Sequence, residues 1–568
     1  MQIENLATFP AGTMFDTDVV VVGGGPTGLT VAQEFFGTST RVLVLESGLL
    51  NETPAHAALS ELESLGEPRT AAQKHKRAIF HGASSPMWSP SQQPYGVRCR
   101  ALGGSSHVWA GKSAPFDSID FTYRSWIPYS GWPINYDELQ PYINRAIRVL
   151  NLSLTQPATR FDMDGLQSFY WQFARSRLDS LDIMRFGQEF ATFKARNVRV
   201  LLNATVTQIG LTADGGRLDK LDISTLGGVR SSVRAKVAVI AASGIENPRL
   251  LLASNSVQGC GVGNAHDQVG RFLMDHPGAQ VGRFHHEAIA PIVHRFGFYG
   301  IRDRGRAHLF MHGLTISPVI QERERLVNCA IYFMPERSSN DPWDALKRLL
   351  RSRSDHPFRD ALSLVSGGGL LAKGACMKIL GSSRTPRALK ELIVDTAIRC
   401  NPNFVAADFQ SGGLPHKLTG VSMEAIVEQR PNPNSRVTLS DKVDQLGVPL
   451  AKVDWCIDDD DRFAIVRIAQ LAQDILPRAG LPEPVLEPWV AENRLEQSIV
   501  IDMAHTLGTT RMSDDPKTSV VDRYCKVHGV HGLYIAGGSV FPTSGHANPT
   551  LMILSLAIRL ADTIKSRL

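Results

Sequence analysis

Asp18-Val-Val-Val-Val22, then Gly23-Gly-Gly-Pro-Thr-Gly28, then Leu29–Phe36, then Arg41-Val-Leu-Val-Leu45-Glu46 is the stretch that decides the fold. It reads as strand, tight turn, helix, strand. Short β-branched runs bounded by glycine are what parallel strands covered on both faces look like. Gly23-x-Gly25-x-x-Gly28 is weak as a bare string, but here it follows a strand and opens a helix within a unit of about 30 residues. In such a unit the first glycine permits the turn, the second lets backbone N–H groups approach a pyrophosphate, and the third lets helix and strand pack closely. The phosphates then sit at the positive end of the helix, beside Pro26 and Thr27. Glu46 ends the second strand, about 20 residues on, where a carboxylate accepts from ribose hydroxyls and disfavours a 2′-phosphate. FAD or NAD is therefore expected over NADP, and the fingerprint alone does not separate those two.

Working outward, residues 198–206 and 236–242 read as further strands, and Leu533–Ala536 as another before a closing helix at Thr550–Ser566. A second glycine-rich loop spans residues 100–115. Between about 281 and 500 the pattern changes to longer alternating segments with helices between them, and residues 335–400 read as irregular. The expected fold is α/β: a discontinuous Rossmann-type layer plus an α+β part with an antiparallel sheet. The expected boundaries are 1–115, 196–280 and 500–568 for the dinucleotide-binding domain, and 116–195 and 281–499 for the substrate-binding domain, with 335–400 an insertion.

Bulk composition excludes several classes. The 568 residues are 43% hydrophobic and 20% charged, with a formal net charge of only +5, so nothing global demands nucleic acid. Seven scattered cysteines with no short spacing disfavour zinc, iron–sulfur ligation and a disulfide framework, so no metal is expected. The first fifteen residues carry no secretory signal pattern, and a cytoplasmic location is expected, with export only alongside a signal-bearing partner. Ala361–Leu380 is apolar, but its four glycines and two lysines argue against a transmembrane segment.

Several motifs together resemble the glucose–methanol–choline (GMC) oxidoreductase family over most of the chain. They are the fingerprint with Glu46-Ser47-Gly48, Leu102-Gly-Gly-Ser-Ser-His-Val-Trp109, Asn203-Ala-Thr-Val206 and Ala242–Leu251. Val269–His276, Glu428–Pro433, His505–Met512, Ile535–Thr543 and Asn548-Pro-Thr550 complete the set. The His505 and Asn548 pair is most similar to the sugar-acting branch: pyranose oxidases, fructose dehydrogenase, and glycoside 3-dehydrogenases and 3-oxidases. The resemblance implies FAD held by Gly23, Gly25, Pro26, Thr27, Gly28, Glu46, Ser47, Gly103, Gly104, Ser105, Ser106, the backbone of Val206, Gly538, Asn548, Pro549 and Thr550. It implies His505 as the base and Asn548 as its partner in hydride removal from a secondary alcohol of a sugar or glycoside. Some members attach the flavin through a histidine in the second glycine loop; that position aligns with Val108, and a one-residue shift brings His107 there. Non-covalent FAD is expected, with His107 the alternative attachment or pocket residue. His546 and Trp109 are weaker pocket candidates. Oxygen, a quinone or a cytochrome or other partner subunit is the expected electron acceptor. The alternatives are the same chemistry on a sterol, terpenoid or amino-sugar alcohol, and a non-redox or non-catalytic flavoprotein.

Overall fold

The computed structural model describes residues 2–568 except 83, 84, 86, 164, 179–181, 304, 305, 339 and 351–355; between 382 and 415 it describes only 385, 386, 388, 389, 392 and 396. The valine run becomes the strand Met14–Val22, whose last four residues are buried. It pairs in parallel with Val42–Leu45 on one side and Arg230–Ile240 on the other. Val198–Leu202 and then Gln2–Asn5 extend the first edge, and Leu533–Ile535 pairs in parallel with Arg230–Ile240. Two antiparallel strands, Leu218–Ser224 and Thr205–Leu211, complete the sheet. Its parallel strands thus come from three separated stretches of chain. This is the expected Rossmann-type layer, and its carboxyl ends deliver Gly23, Glu46, Ala241 and Ala536 to one edge, where ligands of such sheets bind.

A second, antiparallel sheet runs Val485–Leu486, Gly278–Phe284, Leu418–Val427, Cys329–Arg337, Arg306–Ile316, Leu166–Phe173, Lys112–Ser113, with Phe298–Asp303 paired to Arg306–Ile316. Side chains alternate across a strand, and here both faces are covered. Leu314, Ile331, Met423 and Ala425 pack in a core with Ile465, Ile468 and Ala472 of the helix Asp459–Arg478. Phe169, Trp171, Met311 and Tyr332, on the opposite face, belong to the core of the parallel sheet. The acidic run Asp458–Asp461 caps the long helix, with Asp458 and Asp461 forming a reciprocal capping box.

Within 335–400, expected to be irregular, the described residues include three helices; 339, 351–355 and most of 382–400 lie outside the described residues. Pro342–Leu350, Pro357–Ser366 and Gly368–Gly381 are helices. The last helix starts at Thr550 as expected, with Pro549 as its N-cap.

A buried ion pair anchors the chain just after the strand Leu418–Val427. Arg124 donates from both terminal nitrogens to Glu428, at 2.7 and 2.5 Å, and both side chains are almost fully enclosed. Glu428 also accepts from the Asn328 backbone N–H. Removing one partner of such a pair strands a buried charge, at a cost of roughly 3–5 kcal/mol. Arg124→Met should therefore lower the denaturant midpoint of unfolding sharply, and Arg124→Met/Glu428→Met should recover much of the loss. A single variant that unfolds at the wild-type midpoint would contradict this role.

Candidate functional site

At the carboxyl edge of the parallel sheet the glycines are required by contact. A Cβ on Gly28 would lie 2.0 Å from the Gly23 carbonyl oxygen, and one on Gly23, at φ +107°, 2.5 Å from that of Ala241. A Cβ on Gly25 would meet only the Gly104 Cα, at 3.9 Å, so this side of the turn is an open cradle. No side chain caps the N-terminus of the helix Pro26–Gln33, which leaves its first N–H groups for an anion. The second glycine loop lies directly against the turn, with the Gly103 N–H donating to the Gly24 carbonyl. Glu46 is buried beneath both and accepts from the N–H groups of Gly24 (2.9 Å) and Gly48 (2.7 Å). Burial pushes its carboxyl up to about 7, while those two N–H groups and Arg100 oppose the rise. Ser243 stands beside this turn at φ +89° with its hydroxyl buried and unpartnered. An open glycine cradle, an uncapped helix end, a carboxyl at the strand end and an orphaned hydroxyl fit a dinucleotide.

The second constellation lies on the loops Ile501–Leu507 and Phe541–Pro549. His276 Nε2 is 3.1 Å from the Ser544 carbonyl, His276 Nδ1 is 3.0 Å from His505 Nδ1, and His505 Nε2 is 3.2 Å from Asn548 Nδ2. A carbonyl can only accept, so His276 carries its proton on Nε2 and leaves Nδ1 bare. His505 must then donate from Nδ1, which leaves its own Nε2 bare beside the Asn548 amide. Burial holds the His505 imidazolium well below its ordinary value, helped by His276, His81 and Lys112 and opposed by Asp502. Burial likewise pulls His276 down to about 4. Both rings are neutral at pH 7, so the partner set fixes the tautomer of each.

Asp275 locks this pair in place. One of its oxygens accepts from the N–H groups of His276 and Met503, the other from the His505 N–H and the Tyr95 hydroxyl. Two of these donors flank Ala504, held at φ +58°, a conformation rare for alanine. The Asp275 N–H in turn donates to Gln429, whose own N–H donates to the Ser544 hydroxyl. Asp502, the next carboxylate, pairs with Arg77 at 2.6 Å.

The sequence-predicted residues fall into three sets. Gly23, Gly25, Pro26, Thr27, Gly28, Glu46, Gly103 and Gly104 come together at the cradle, with Gly537, next to Gly538, near Thr27. Ser47 accepts from Arg100 and lies beside Glu46; Ser105 is exposed, and the Ser106 hydroxyl is taken up by the Gly103 carbonyl. Val206 pairs with Ile223 in its strand. His505 and Asn548 come together as described, at the N-terminus of the helix Thr550–Lys565. The third set stands apart from that pair: His107 Nε2 is 2.8 Å from the Leu102 carbonyl, and the Trp109 indole donates to Met184. His546 is fully buried, edge-on to Phe169, with neither ring nitrogen partnered.

The sequence motifs assign no site role to His276, Asp275, Gln429, Ser544 or Ser243. Nor do they mark the sheet wall: the Lys112 amine sits 4.4 Å from the Tyr332 ring and 5.8 Å from that of Trp171, and the buried Trp171 N–H has no partner. Burial pulls Lys112 down to about 8, with Glu424 opposing. The motif Met274-Asp-His276 was the available signal for the first group; nothing local marks Lys112. Asp275, His276 and His505 bring possible metal ligands within 4.8 Å of one another, as do Asp117, Asp120 and His546. Hydrogen bonds already engage the first trio, and one Asn328 amide bridges both carboxylates of the second.

Residues 431–557 match the family model described as GMC oxidoreductase. The chain is 27% identical over 337 residues to the fructose dehydrogenase large subunit of Gluconobacter japonicus, covering 58% of this chain and 47% of that one. The chain thus spans about half the length of that relative. It is 24% identical to 2-methyl-1,2-propanediol dehydrogenase of Mycolicibacterium austroafricanum, over 97% and 95% of the two chains. Pyridoxine 4-oxidase from Mesorbium loti shares the fold at a TM-score of 0.56 and 16% identity, covering 97% of this chain and 99% of its own. The paired layers, the glycine cradle and these matches agree: residues 431–557 match the GMC oxidoreductase model, the fold is that of the solved flavoenzyme, and the cradle fits the FAD of that family.

Proposed function

We propose that the protein oxidises a secondary alcohol of a sugar or glycoside to a ketone, with His505 as the base. The observation that carries this reading is the unprotonated Nε2 of a neutral His505, which accepts from the Asn548 amide and is set by the ring's hydrogen-bond partners. A hydride leaves an alcohol carbon readily only as the hydroxyl proton also leaves, and a positioned neutral imidazole is suited to take that proton. FAD, held at the cradle, supplies the acceptor for the hydride. The proton goes to His505 Nε2, and the Asn548 amide is placed to orient the same hydroxyl. Orientation of this kind contributes as much as the base itself. The ionised Asp502 favours the imidazolium formed in that step, and burial returns the ring to neutrality once the proton departs.

The sugar assignment rests on the wall and on the relative that acts on fructose by name. Aromatic rings lie there beside polar groups: Trp171, whose N–H is unpartnered, and the Lys112 amine over the Tyr332 ring. A purely apolar alcohol would leave those groups unsatisfied, which disfavours it. The electron acceptor is proposed to be oxygen, a quinone or a partner subunit, the last in keeping with the "large subunit" in that relative's name.

Anaerobic mixing with a panel of sugars, glycosides, polyols and sterols tests the reading. Sugars or glycosides should bleach the visible band of the oxidised flavin; bleaching by sterols alone would contradict the substrate class, and no bleaching by any alcohol would contradict the activity. His505→Ala should slow flavin reduction by about 10²–10⁴-fold while retaining FAD. His276→Leu should also slow it, through the lost acceptor for His505 Nδ1, and His276→Asn, which keeps an acceptor oxygen, should restore part of the rate. Equal rates in the Leu and Asn variants would assign His276 a packing role only. Gly28→Val should be purified without the flavin band, because its Cβ has no room beside Gly23; a fully flavinylated variant would contradict the cradle.

A further inference from the structure

The helices Pro342–Leu350, Pro357–Ser366 and Gly368–Gly381 are folded inside out. In a helix of a globular protein the large apolar residues form the stripe facing the core. In Pro357–Ser366 the residues at spacing i, i+4 and i+7 are Phe358, Leu362 and Val365, and they are 85%, 60% and 82% exposed. Leu350, at the end of the preceding helix, is 77% exposed. The inward positions are small or polar. Asp360 is buried and accepts from Arg348 Nε at 3.0 Å; Ser363 is buried and donates to the Arg359 carbonyl. A Cβ on Gly367 would lie 2.5 Å from Pro342, and one on Gly374 2.4 Å from the Trp343 ring. Among the described residues the three helices pack on one another through glycine, proline, one indole and one ion pair, and Leu350, Phe358, Leu362 and Val365 face outward.

Charge identifies what covers that stripe. Residues 341–400 hold eleven Lys and Arg against six Asp and Glu. The other 508 residues balance, 49 against 49, so this segment alone carries the formal net charge of +5. Gly368–Gly381 contains two charges, Lys373 and Lys378, both basic and exposed. Among the described residues, a Phe/Leu/Val stripe with the exposed Lys347, Arg359, Lys373 and Lys378 on the same three helices is the composition of an interfacial element. Among the described residues no helix is long and apolar enough to cross a membrane, which leaves lying on the surface as the mode of contact.

We propose that the helices Pro342–Gly381 dock the protein on an anionic lipid bilayer, with Phe358, Leu362 and Val365 entering the headgroup boundary and the surrounding lysines and arginines facing acidic lipid. An apolar stripe supplies burial and the basic rim supplies attraction to anionic headgroups, and the two act together.

Co-sedimentation of the FAD-loaded full-length protein with vesicles tests this. The wild type should pellet with vesicles of phosphatidylcholine mixed with phosphatidylglycerol, more weakly with phosphatidylcholine alone, and less as salt is raised, because screening weakens the charge contribution. Phe358→Ser/Leu362→Ser/Val365→Ser should bind the mixed vesicles about tenfold more weakly, with flavin content, melting temperature and substrate-driven flavin reduction unchanged. The proposal is overturned if the wild type stays in the supernatant with mixed vesicles, or if the triple variant binds as tightly as the wild type. It is equally overturned if the wild type is an oligomer that the triple substitution dissolves, which would make a second copy the cover of the stripe.

Discussion

A single one-way chain of hydrogen bonds governs the chemistry available to this protein. It starts at a backbone carbonyl, which has no choice of role, and passes through two imidazoles to a bare nitrogen. Because Ser544 O can only accept, His276 must point its one proton at it, and His505 must then donate from Nδ1. Each ring is buried enough to stay neutral, so neither can satisfy both neighbours by taking a second proton. The basic atom is thus selected by geometry, without a carboxylate partner on the His505 ring.

Much of the surrounding structure holds that chain in register. Asp275 ties the backbones of His276, Met503 and His505 together and pins the left-handed turn at Ala504. Gln429 links Asp275 to the Ser544 segment, and its neighbour Glu428 is anchored by Arg124. This ion pair is therefore continuous with the site. The parallel sheet contributes the other half: its carboxyl edge places Gly23 and Glu46 at the cofactor, while helix Thr550–Lys565 begins just after Asn548.

The parallel layer was legible because its signal is local. Val19–Val22, the spacing of Gly23, Gly25 and Gly28, and Glu46 lie within one short unit, and each glycine has a nearby steric reason. His505 and Asn548 were legible through motifs that resemble a family. The partners of His505 were not, because they are 229 residues apart in sequence and meet only through the fold; a histidine at the end of a buried segment looks the same whether it packs or orients. Lys112 was invisible for a similar reason: its significance comes from Trp171 and Tyr332 on other strands. In Pro357–Ser366 the large apolar residues Phe358, Leu362 and Val365 face outward and Asp360 and Ser363 inward, so the usual pattern is inverted.

The rate of flavin reduction by a bound alcohol, followed anaerobically as a function of pH, tests the central claim most directly. The base must be unprotonated to act, and His505 is held well below the ordinary histidine value of 6.5. The rate should therefore be flat across neutral pH and decline only as pH falls well below 6.5, and this limb should disappear in His505→Ala. A limb at or above pH 7, or the same acid limb retained in His505→Ala, would contradict a neutral His505 as the group that takes the proton.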